Sequence, residues 1–217
     1  MTADSEERLF RVAVLVSGEG TNLQAILDRL HGREGIEVAR VGASRESARG
    51  LERARAAGIE AAAFEAAAYP DREARDRALA DWLAGRGVDL VVLAGFMELL
   101  SPAFVARFRG RIVNVHPSLL PAFPGTRAIE QAIEYGVRVT GVTVHFVDEG
   151  VDTGPIVLQR PLELPYPADI AEVEERVHEI EHELLPQAVR MIARGAVSID
   201  PTNPRRVLVA EDHPWTP

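Results

Sequence analysis

Four short runs of apolar residues recur between residues 11 and 115, and each is hydrophobic almost without interruption. They cover Arg11–Val16, Ile36–Val41, Val88–Ala94 and Arg111–Val115. A strand with one wet face alternates apolar and polar residues, whereas a strand buried on both faces does not. The pattern therefore predicts strands in the interior of a parallel sheet.

Helix-favouring segments separate these runs. Thr21–Leu30 places leucine and isoleucine at helical spacing, and both Glu46–Ala57 and Arg72–Gly85 are rich in alanine, leucine, arginine and glutamate, which are good helix formers. Asp71 is placed to cap the last of these helices. Strands that alternate with helices at this spacing predict an α/β fold with a doubly wound, mostly parallel, Rossmann-like sheet.

The pattern changes after residue 137. Val139–Val147 and Ile156–Leu164 resemble two strands of an antiparallel extension to the sheet, because only a loop rich in glycine and aspartate separates them. Asp169–Leu185 has apolar residues at steps of three and four, which predicts a long amphipathic helix. Pro186 is expected to kink or end that helix. The chain from Val197 is expected to add a short hairpin before a frayed, proline-rich end.

Composition limits the classes of protein that fit. We predict one domain over residues 1–217, with a core at about 11–199 and a tail at 200–217, since no repeat or linker divides the chain. The 24 basic and 33 acidic side chains give a net charge of -9, which disfavours a nucleic acid or an anionic membrane as partner but is compatible with a local anion site. Absence of cysteine excludes disulfides and thiolate chemistry, and absence of lysine excludes a Schiff base.

The first residues and the apolar runs predict a location. The first residues are polar and acidic, where a secretory signal would be basic and then apolar, and the longest apolar runs are far below membrane-spanning length. We therefore predict a cytoplasmic protein.

The first candidate for chemistry is the string SGEGTNLQA, Ser17–Ala25, which follows the first strand and opens a helix. Glycines allow backbone N–H groups to approach an anion, and a helix N-terminus adds partial positive charge. The string matches neither the P-loop nor the dinucleotide fingerprint. An ordinary turn capped by Thr21 or Asn22 explains it as well as a phosphate site does.

The second candidate lies where the fourth run ends. Asn114 and His116 are two residues apart on a strand that Pro117 terminates, so both side chains can lie on one side at the carboxyl edge of the sheet, where open α/β sheets bind ligands. An amide and an imidazole can donate hydrogen bonds to an oxygen that gains negative charge. A strand-end histidine bonded to backbone is the structural alternative.

The third candidate is the loop in HFVDEGVDTGP. Asp148 and Glu149 fit an acidic surface loop, whereas Asp152 precedes a constrained Thr-Gly-Pro turn and is the better candidate for a directed side chain. A carboxylate beside His116 would raise the pKa of that imidazole. His178 and His182 form a possible ligand pair on a helix, but no HExxH pattern is present and we predict no metal.

The ordered motifs resemble those of one enzyme family. The strings VLVSGEGTNLQAI, LERARAAGI, VVLAGFMELLSPAFV, NVHPSLLPAFPG, VTVHFVDEGVDTGPI and RVHEIEHELLP run from about residue 11 to about residue 199 and are similar to those of the phosphoribosylglycinamide formyltransferases. The resemblance implies transfer of a formyl group from 10-formyltetrahydrofolate to the amine of glycinamide ribonucleotide in purine biosynthesis. It implies small-molecule partners, no metal, and a monomer or homodimer. A formyltetrahydrofolate hydrolase on the same scaffold and a non-catalytic nucleotide-binding module are the alternatives. Related formyltransferases with further domains fit less well, because the first strand begins by residue 11 and the sequence has 217 residues.

The resemblance also assigns residues to three groups. The implied nucleotide pocket contains Gly20, Thr21, Asn22 and Glu181. The implied folate pocket contains Arg72, Met97, Glu98, Leu99, Leu100 and Asn114, with the pteridine recognised by the backbone of the segment from Met97 to Leu100. The implied catalytic residues are Asn114, a protonated His116, and Asp152. Two residues depart from the family pattern: Glu98 stands where relatives often have a basic residue, and Arg127 stands where many have histidine.

Overall fold

Seven strands form the central sheet of the computed structural model, which describes residues 8–210. In chain order they are Phe10–Val16 (β1), Ile36–Ala43 (β2), Glu60–Ala63 (β3), Leu90–Leu93 (β4), Ile112–His116 (β5), Val139–Phe146 (β6) and Ile156–Glu163 (β7). Their spatial order is β3-β2-β1-β4-β5-β6-β7. The first five are parallel to one another, whereas β6 and β7 run antiparallel to their neighbours, so the predicted α/β sheet with an antiparallel extension is confirmed.

Six helices accompany the sheet in the described part of the chain. They are Thr21–Arg29 (α1), Arg49–Ala56 (α2), Arg72–Ala84 (α3), Pro102–Arg107 (α4), Ala128–Tyr135 (α5) and Ile170–Ala193 (α6). The Asp71 side chain accepts a hydrogen bond from the Ala74 N–H at 2.7 Å, which confirms the predicted cap of α3. None of these helices is long and apolar enough to cross a membrane.

Both faces of the sheet are covered by apolar side chains. Alternate residues of β1 belong to two separate core clusters, with Val12 and Val14 in one and Ala13 and Leu15 in the other, and all four are fully buried. The first cluster includes residues of α1 and α6, and the second includes residues of α3 and α4. This arrangement explains why the parallel strands lack polar alternation.

The prediction that Pro186 ends or kinks a helix finishing at Leu185 is wrong about the end, because α6 continues to Ala193 with Pro186 inside it. Proline removes one backbone hydrogen bond and disfavours a helix interior. Leu185, Ala188 and Val189 are nevertheless fully buried. We attribute the continuation to this packing, which outweighs the local cost.

Several shorter elements were not predicted. The strand β3, the helices α4 and α5 and a 3-10 turn at Ala66–Ala68 have no counterpart among the predicted elements, and α2 begins three residues later than expected. The predicted C-terminal hairpin is confirmed as Val197–Ile199 (β8) paired antiparallel with Val207–Val209 (β9). The proline-rich end of the sequence lies outside the described residues.

The two edges of the large sheet differ from its centre. At one edge β3 has only four residues. At the other, β7 carries Pro161 opposite Gly141 of β6, and the side chain of its Arg160 pairs with Glu183. Proline is tolerated in a sheet mainly at such edges.

Candidate active site at the carboxyl edge of the sheet

Three loops emerge side by side at one edge of the sheet. They follow β1, β4 and β5, which are neighbouring parallel strands. The Ser17 hydroxyl, just after β1, accepts a hydrogen bond from the Met97 N–H at 2.8 Å, which joins the first loop to the second. The carboxyl edge of an open α/β sheet is its usual ligand-binding position.

Residues 17–22 form what we call the anion loop. Gly20 has a φ of 71° in the left-handed region and is the N-cap of α1, with no side-chain capping hydrogen bond. The alternative in which Thr21 or Asn22 caps the helix is therefore wrong. A Cβ on Gly20 would lie 2.7 Å from the Gly50 Cα, so glycine is required sterically as well. An uncapped helix N-terminus offers N–H donors and partial positive charge to an anion.

Arginine side chains surround the anion loop. The Arg45 Nε donates to the Ser17 carbonyl, and the Arg53 Nε donates to the Glu19 carbonyl at 2.8 Å. Arg49 pairs with the exposed Glu19 carboxylate at 2.8 Å. Their positive charge adds to that of the helix terminus and favours an anionic ligand.

Asn22 and Glu181 connect α1 to α6 beside the anion loop. The Asn22 Nδ2 donates to the Glu181 Oε2 at 2.8 Å, and Glu181 is only 6% exposed. Burial raises the pKa of Glu181, although the Asn22 hydrogen bond and His178 lower it in part. The Asn22 Oδ1 is buried and has no hydrogen-bond partner within residues 8–210. A buried acceptor of this kind is suited to a ligand donor.

Asn114, His116 and Asp152, which we call the polar trio, lie together. The Asp152 Oδ1 is 3.4 Å from the Asn114 Nδ2, and its Oδ2 is 3.4 Å from the His116 Nδ1. Asn114 and His116 lie on β5, as predicted, and Asp152 reaches them from the loop between β6 and β7. These contacts are long for hydrogen bonds, so a bound ligand can recruit the same groups.

The backbone fixes the position of Asp152. Its φ of 53° lies in the left-handed region, and its Oδ2 accepts a hydrogen bond from the Gly125 N–H at 2.8 Å. Burial raises the pKa of this carboxyl, but the adjacent His145 imidazole, the Gly125 N–H and the His116 imidazole lower it more, so its pKa is below the ordinary value. Asp152 is therefore an anion at neutral pH.

The net pKa shift of His116 is opposite to the predicted one. It is only 4% exposed, and this burial lowers its pKa below the ordinary value; the Phe123 carbonyl and Asp152 raise the pKa in part, and His145 lowers it further. Asp152 therefore raises the pKa of His116, as expected of a neighbouring carboxylate, but burial outweighs the ion pair and the net shift is downward. The Nε2–H donates to the Phe123 carbonyl at 2.9 Å, which leaves Nδ1, beside Asp152, to accept a proton.

His145 is a neighbour of the polar trio that the sequence motifs indicated only as part of a loop string and as a scattered histidine. It is 2% exposed, its Nδ1–H donates to the Phe146 carbonyl at 2.9 Å, and its Nε2 lies 3.3 Å from the Asn114 Nδ2. Antiparallel pairing of β5 and β6 places it opposite Asn114. In the sequence, the only signal that could have indicated His145 is a polar residue at an inward-facing position near the end of β6.

A cleft of about 220 Å³ opens beside the polar trio. Both Asn114 and Asp152 line it. The residues predicted for a folate pocket that also line it are Arg72, Glu98, Leu99 and Leu100. Met97, 67% exposed, lies in the same loop but does not line the cleft. Residues that the resemblance assigns to the catalytic group and residues that it assigns to the folate pocket therefore line the same cavity.

The two departures from the family pattern have different surroundings. Glu98 pairs with Arg75 at 2.9 Å, although its side chain is 41% exposed. Arg127 is exposed and lies 3.7 Å from Glu130 and 3.5 Å from Glu134. The Arg127 charge is thus directed along α5, whereas Glu98 belongs to the wall of the cleft.

The histidine pair on α6 lies apart from the polar trio in the sequence. The rings of His178 and His182 stack at 6.3 Å between centroids. Within residues 8–210, no group of three or more metal-ligating side chains is arranged to hold a metal ion.

The sequence model of the formyl transferase family matches residues 10–189. The chain belongs to the formyl transferase family. Among members of that family, phosphoribosylglycinamide formyltransferase from Bacillus subtilis is 39% identical over 183 residues, which are 84% of this chain and 94% of the relative. The resemblance drawn from the sequence motifs is confirmed.

Solved structures of formyl transferases agree with this assignment. Glycinamide ribonucleotide transformylase 1 from Symbiobacterium toebii superposes with a TM-score of 0.90 at 47% identity, covering 95% of this chain and 96% of that one. The trifunctional purine biosynthetic protein adenosine-3 of Drosophila melanogaster is 43% identical over 198 residues. This chain spans 90% of its own length in that comparison but only 15% of the trifunctional relative.

Proposed function

We propose that this chain transfers the formyl group of 10-formyltetrahydrofolate to the amine of 5-phosphoribosylglycinamide. The products are formylglycinamide ribonucleotide and tetrahydrofolate. The observation that carries the proposal is the convergence of the polar trio, two of whose members, Asn114 and Asp152, line a cleft at the same sheet edge as the anion loop. The names of the similar proteins support the nucleotide acceptor and the formyl transfer, and the folate donor follows from the family resemblance. The anion loop and the cleft are the proposed sites for the two substrates.

The anion loop is the proposed site for the phosphate of the nucleotide. The N–H groups at Gly20, Thr21 and Asn22 begin α1 without a side-chain cap, which suits a phosphate. Glu181 and the unpaired Asn22 Oδ1 are acceptors for hydroxyl or amine protons of the same ligand.

The cleft beside the polar trio is the proposed site for the folate. Arg72 is a cation on its wall, and the loop that follows β4 supplies backbone groups and apolar side chains. The proposed contacts in this loop are Met97, Glu98, Leu99 and Leu100. Asn114 lines the cleft between this loop and Asp152, so the formyl group is proposed to lie there.

The reaction forms a bond between the amine nitrogen and the formyl carbon. The carbonyl oxygen becomes an oxyanion in the tetrahedral intermediate, and the Asn114 amide is positioned to donate a hydrogen bond to it. Loss of one such donor typically reduces turnover by about 10²–10³. The bond from the formyl carbon to the folate nitrogen then breaks.

His116 and Asp152 are proposed to manage the proton that must move from the amine to the folate nitrogen. Because burial lowers its pKa, His116 is neutral in the free protein and can accept that proton at Nδ1. Asp152, which stays ionised, stabilises the resulting imidazolium. The proton is returned to the leaving nitrogen, through water if the distance requires it. The sequence expectation differs at this step, because it has His116 already protonated before reaction.

A spectrophotometric assay with a 10-formyl folate analogue tests the proposal. We expect deformylation of the analogue only when glycinamide ribonucleotide is present, with formylated nucleotide as product. Formate release at the same rate without the nucleotide would instead indicate a hydrolase. Absence of either reaction would support a non-catalytic nucleotide-binding module and contradict the proposal.

A further inference from the structure

A buried ion pair lies behind the folate wall of the cleft. Arg75 on α3 is 2% exposed and Asp76 is fully buried. The Arg75 Nε donates to the Asp76 Oδ1 at 2.9 Å, the Nη1 donates to the Glu98 Oε2 at 2.9 Å, and the Nη2 donates to the Leu99 carbonyl at 3.1 Å. One guanidinium thus joins α3 to consecutive residues of the loop after β4.

Asp76 extends this connection to the end of the same loop. Its Oδ2 accepts a hydrogen bond from the Ser101 N–H, and the Ser101 hydroxyl caps α4 by accepting from the Phe104 N–H at 3.3 Å. We call Arg75 and Asp76 the loop clamp. The outer side of the loop is solvated, with Leu99 60% exposed, so the clamp holds the loop from its buried side.

Stability alone is a weak explanation for such a pair. Desolvation of two charges offsets much of their attraction, and replacing a buried pair by neutral groups of similar size is often harmless. A planar guanidinium, however, fixes several acceptors in a set geometry. The acceptors here are the Glu98 carboxylate and the Leu99 carbonyl, and both residues line the cleft.

We propose that Arg75 is a positioning residue for the folate co-substrate, setting the backbone at Leu99 and holding the Glu98 carboxylate against α3 in an ion pair. This inference rests on the proposed function. A folate carries glutamate carboxylates, so an unpaired Glu98 on the cleft wall would repel it. Arg75 weakens that repulsion without itself lining the cleft, and the binding geometry of the loop exists before the folate arrives.

The test uses the double substitution Arg75→Met/Asp76→Asn. It removes both buried charges together, and the amide introduced on α3 still provides an acceptor for the Ser101 N–H. We expect the KM for the formyl folate to rise about tenfold, which corresponds to about 1.4 kcal/mol, while kcat and the KM for the nucleotide stay within about twofold. The matched control is Arg77→Met, an exposed position on the same helix, for which all three constants should be unchanged.

The substitution Glu98→Gln separates the effect of the Glu98 charge on folate binding from the effect of the backbone position at Leu99. In the otherwise unchanged protein its effect on the folate KM should be smaller than in the double-substituted protein, because the intact Arg75 holds the carboxylate in a hydrogen-bonded pair. In the double-substituted protein it should lower the raised folate KM by about threefold, because the carboxylate there is unpaired. A stabilising role alone predicts no such dependence on Arg75.

Two results would overturn the inference. One is an unchanged folate KM in the double variant, and the other is a parallel change in both KM values and kcat together with a lower melting temperature. Failure of the proposed function is distinguishable, because the unsubstituted protein would then not transfer formyl at all. In that case, titration calorimetry with the folate analogue decides: analogue binding that the double substitution weakens keeps the inference, and unchanged or absent binding rejects it.

Discussion

The anion loop and the cleft occupy the same edge of the sheet but are built by different means. The anion loop depends on backbone: a left-handed glycine, an uncapped helix and a steric limit set by Gly50. The cleft depends on side chains delivered from β5, α3 and the loop between β6 and β7. A backbone site accepts any ligand with the right anion, whereas a site made of side chains can adjust protonation and charge.

This difference predicts two kinds of sensitivity. Side-chain substitutions should act strongly in the cleft, whereas in the anion loop a single methyl group on the backbone should already act strongly. Substitutions in each region test this difference in sensitivity.

The largest effect is expected from His116→Ala or Asp152→Asn. Either change removes the proposed proton acceptor or its partner, so kcat should fall by about 10²–10⁴, while nucleotide affinity measured by calorimetry stays within about twofold. Asp28→Asn, an exposed carboxyl of α1, is the control. Near-normal turnover in His116→Ala would show that the polar trio is not the reacting centre.

Gly20→Ala should affect the nucleotide and not the folate. Its φ of 71° and the 2.7 Å approach to Gly50 force the backbone to move, so the nucleotide KM should rise more than about tenfold. Gly32→Ala is a matched control, because Gly32 has a φ of 70° with nothing within 4 Å of the added carbon.

Both glycine variants should lose about 1–2 kcal/mol of stability from left-handed strain. Gly20→Ala should lose more because of its approach to Gly50, and only Gly20→Ala should change the nucleotide KM. Equal effects of the two on that KM would contradict the backbone character of the anion loop.

The smallest effect concerns pH and the buried carboxyl of Glu181. Because the pKa of Glu181 is raised in the folded protein, its protonated form contributes stability below the ordinary value near 4.5, and that contribution is lost as pH rises through the raised pKa. Glu181→Gln retains an acceptor for Asn22 without the charge. Its melting temperature should therefore match the unsubstituted protein near pH 4 and exceed it increasingly at higher pH, by about 2–4 °C for each kcal/mol.

The control for this effect is Glu175→Gln, an exposed position on the same helix. Thermal scans across pH should show no comparable difference for it. A Glu181→Gln protein whose relative stability falls as pH rises would show that the carboxyl is stabilised in its charged form instead.

The parallel core could be predicted from sequence because burial on both faces leaves a direct pattern in the residues. The strands β1 and β5 were recognised on this basis to within a residue or two. The strand β3 was not, since Glu60–Ala63 is rich in alanine, a helix former, and only its pairing with β2 makes it a strand. The continuation of α6 through Pro186 likewise depends on tertiary packing.

The residues of the candidate site likewise divide into those that the sequence predicts and those that only the tertiary structure places. Asn114 and His116 could be placed together because their spacing on one strand fixes a shared face. The place of His145 depends on the register of β5 and β6, which the sequence does not show. The buried position of Arg75 was missed because a charged residue on a helix normally indicates solvent, and its partners Glu98 and Leu99 are distant in sequence.

The edge of the sheet at β7 has a consequence for how the protein behaves at high concentration. An exposed strand edge invites a strand from another molecule, and repeated addition produces open-ended polymers. Pro161 lacks the N–H that such a ladder would need, and the opposite edge offers only the four residues of β3. The sheet that carries the chemistry is thereby a poor template for its own aggregation.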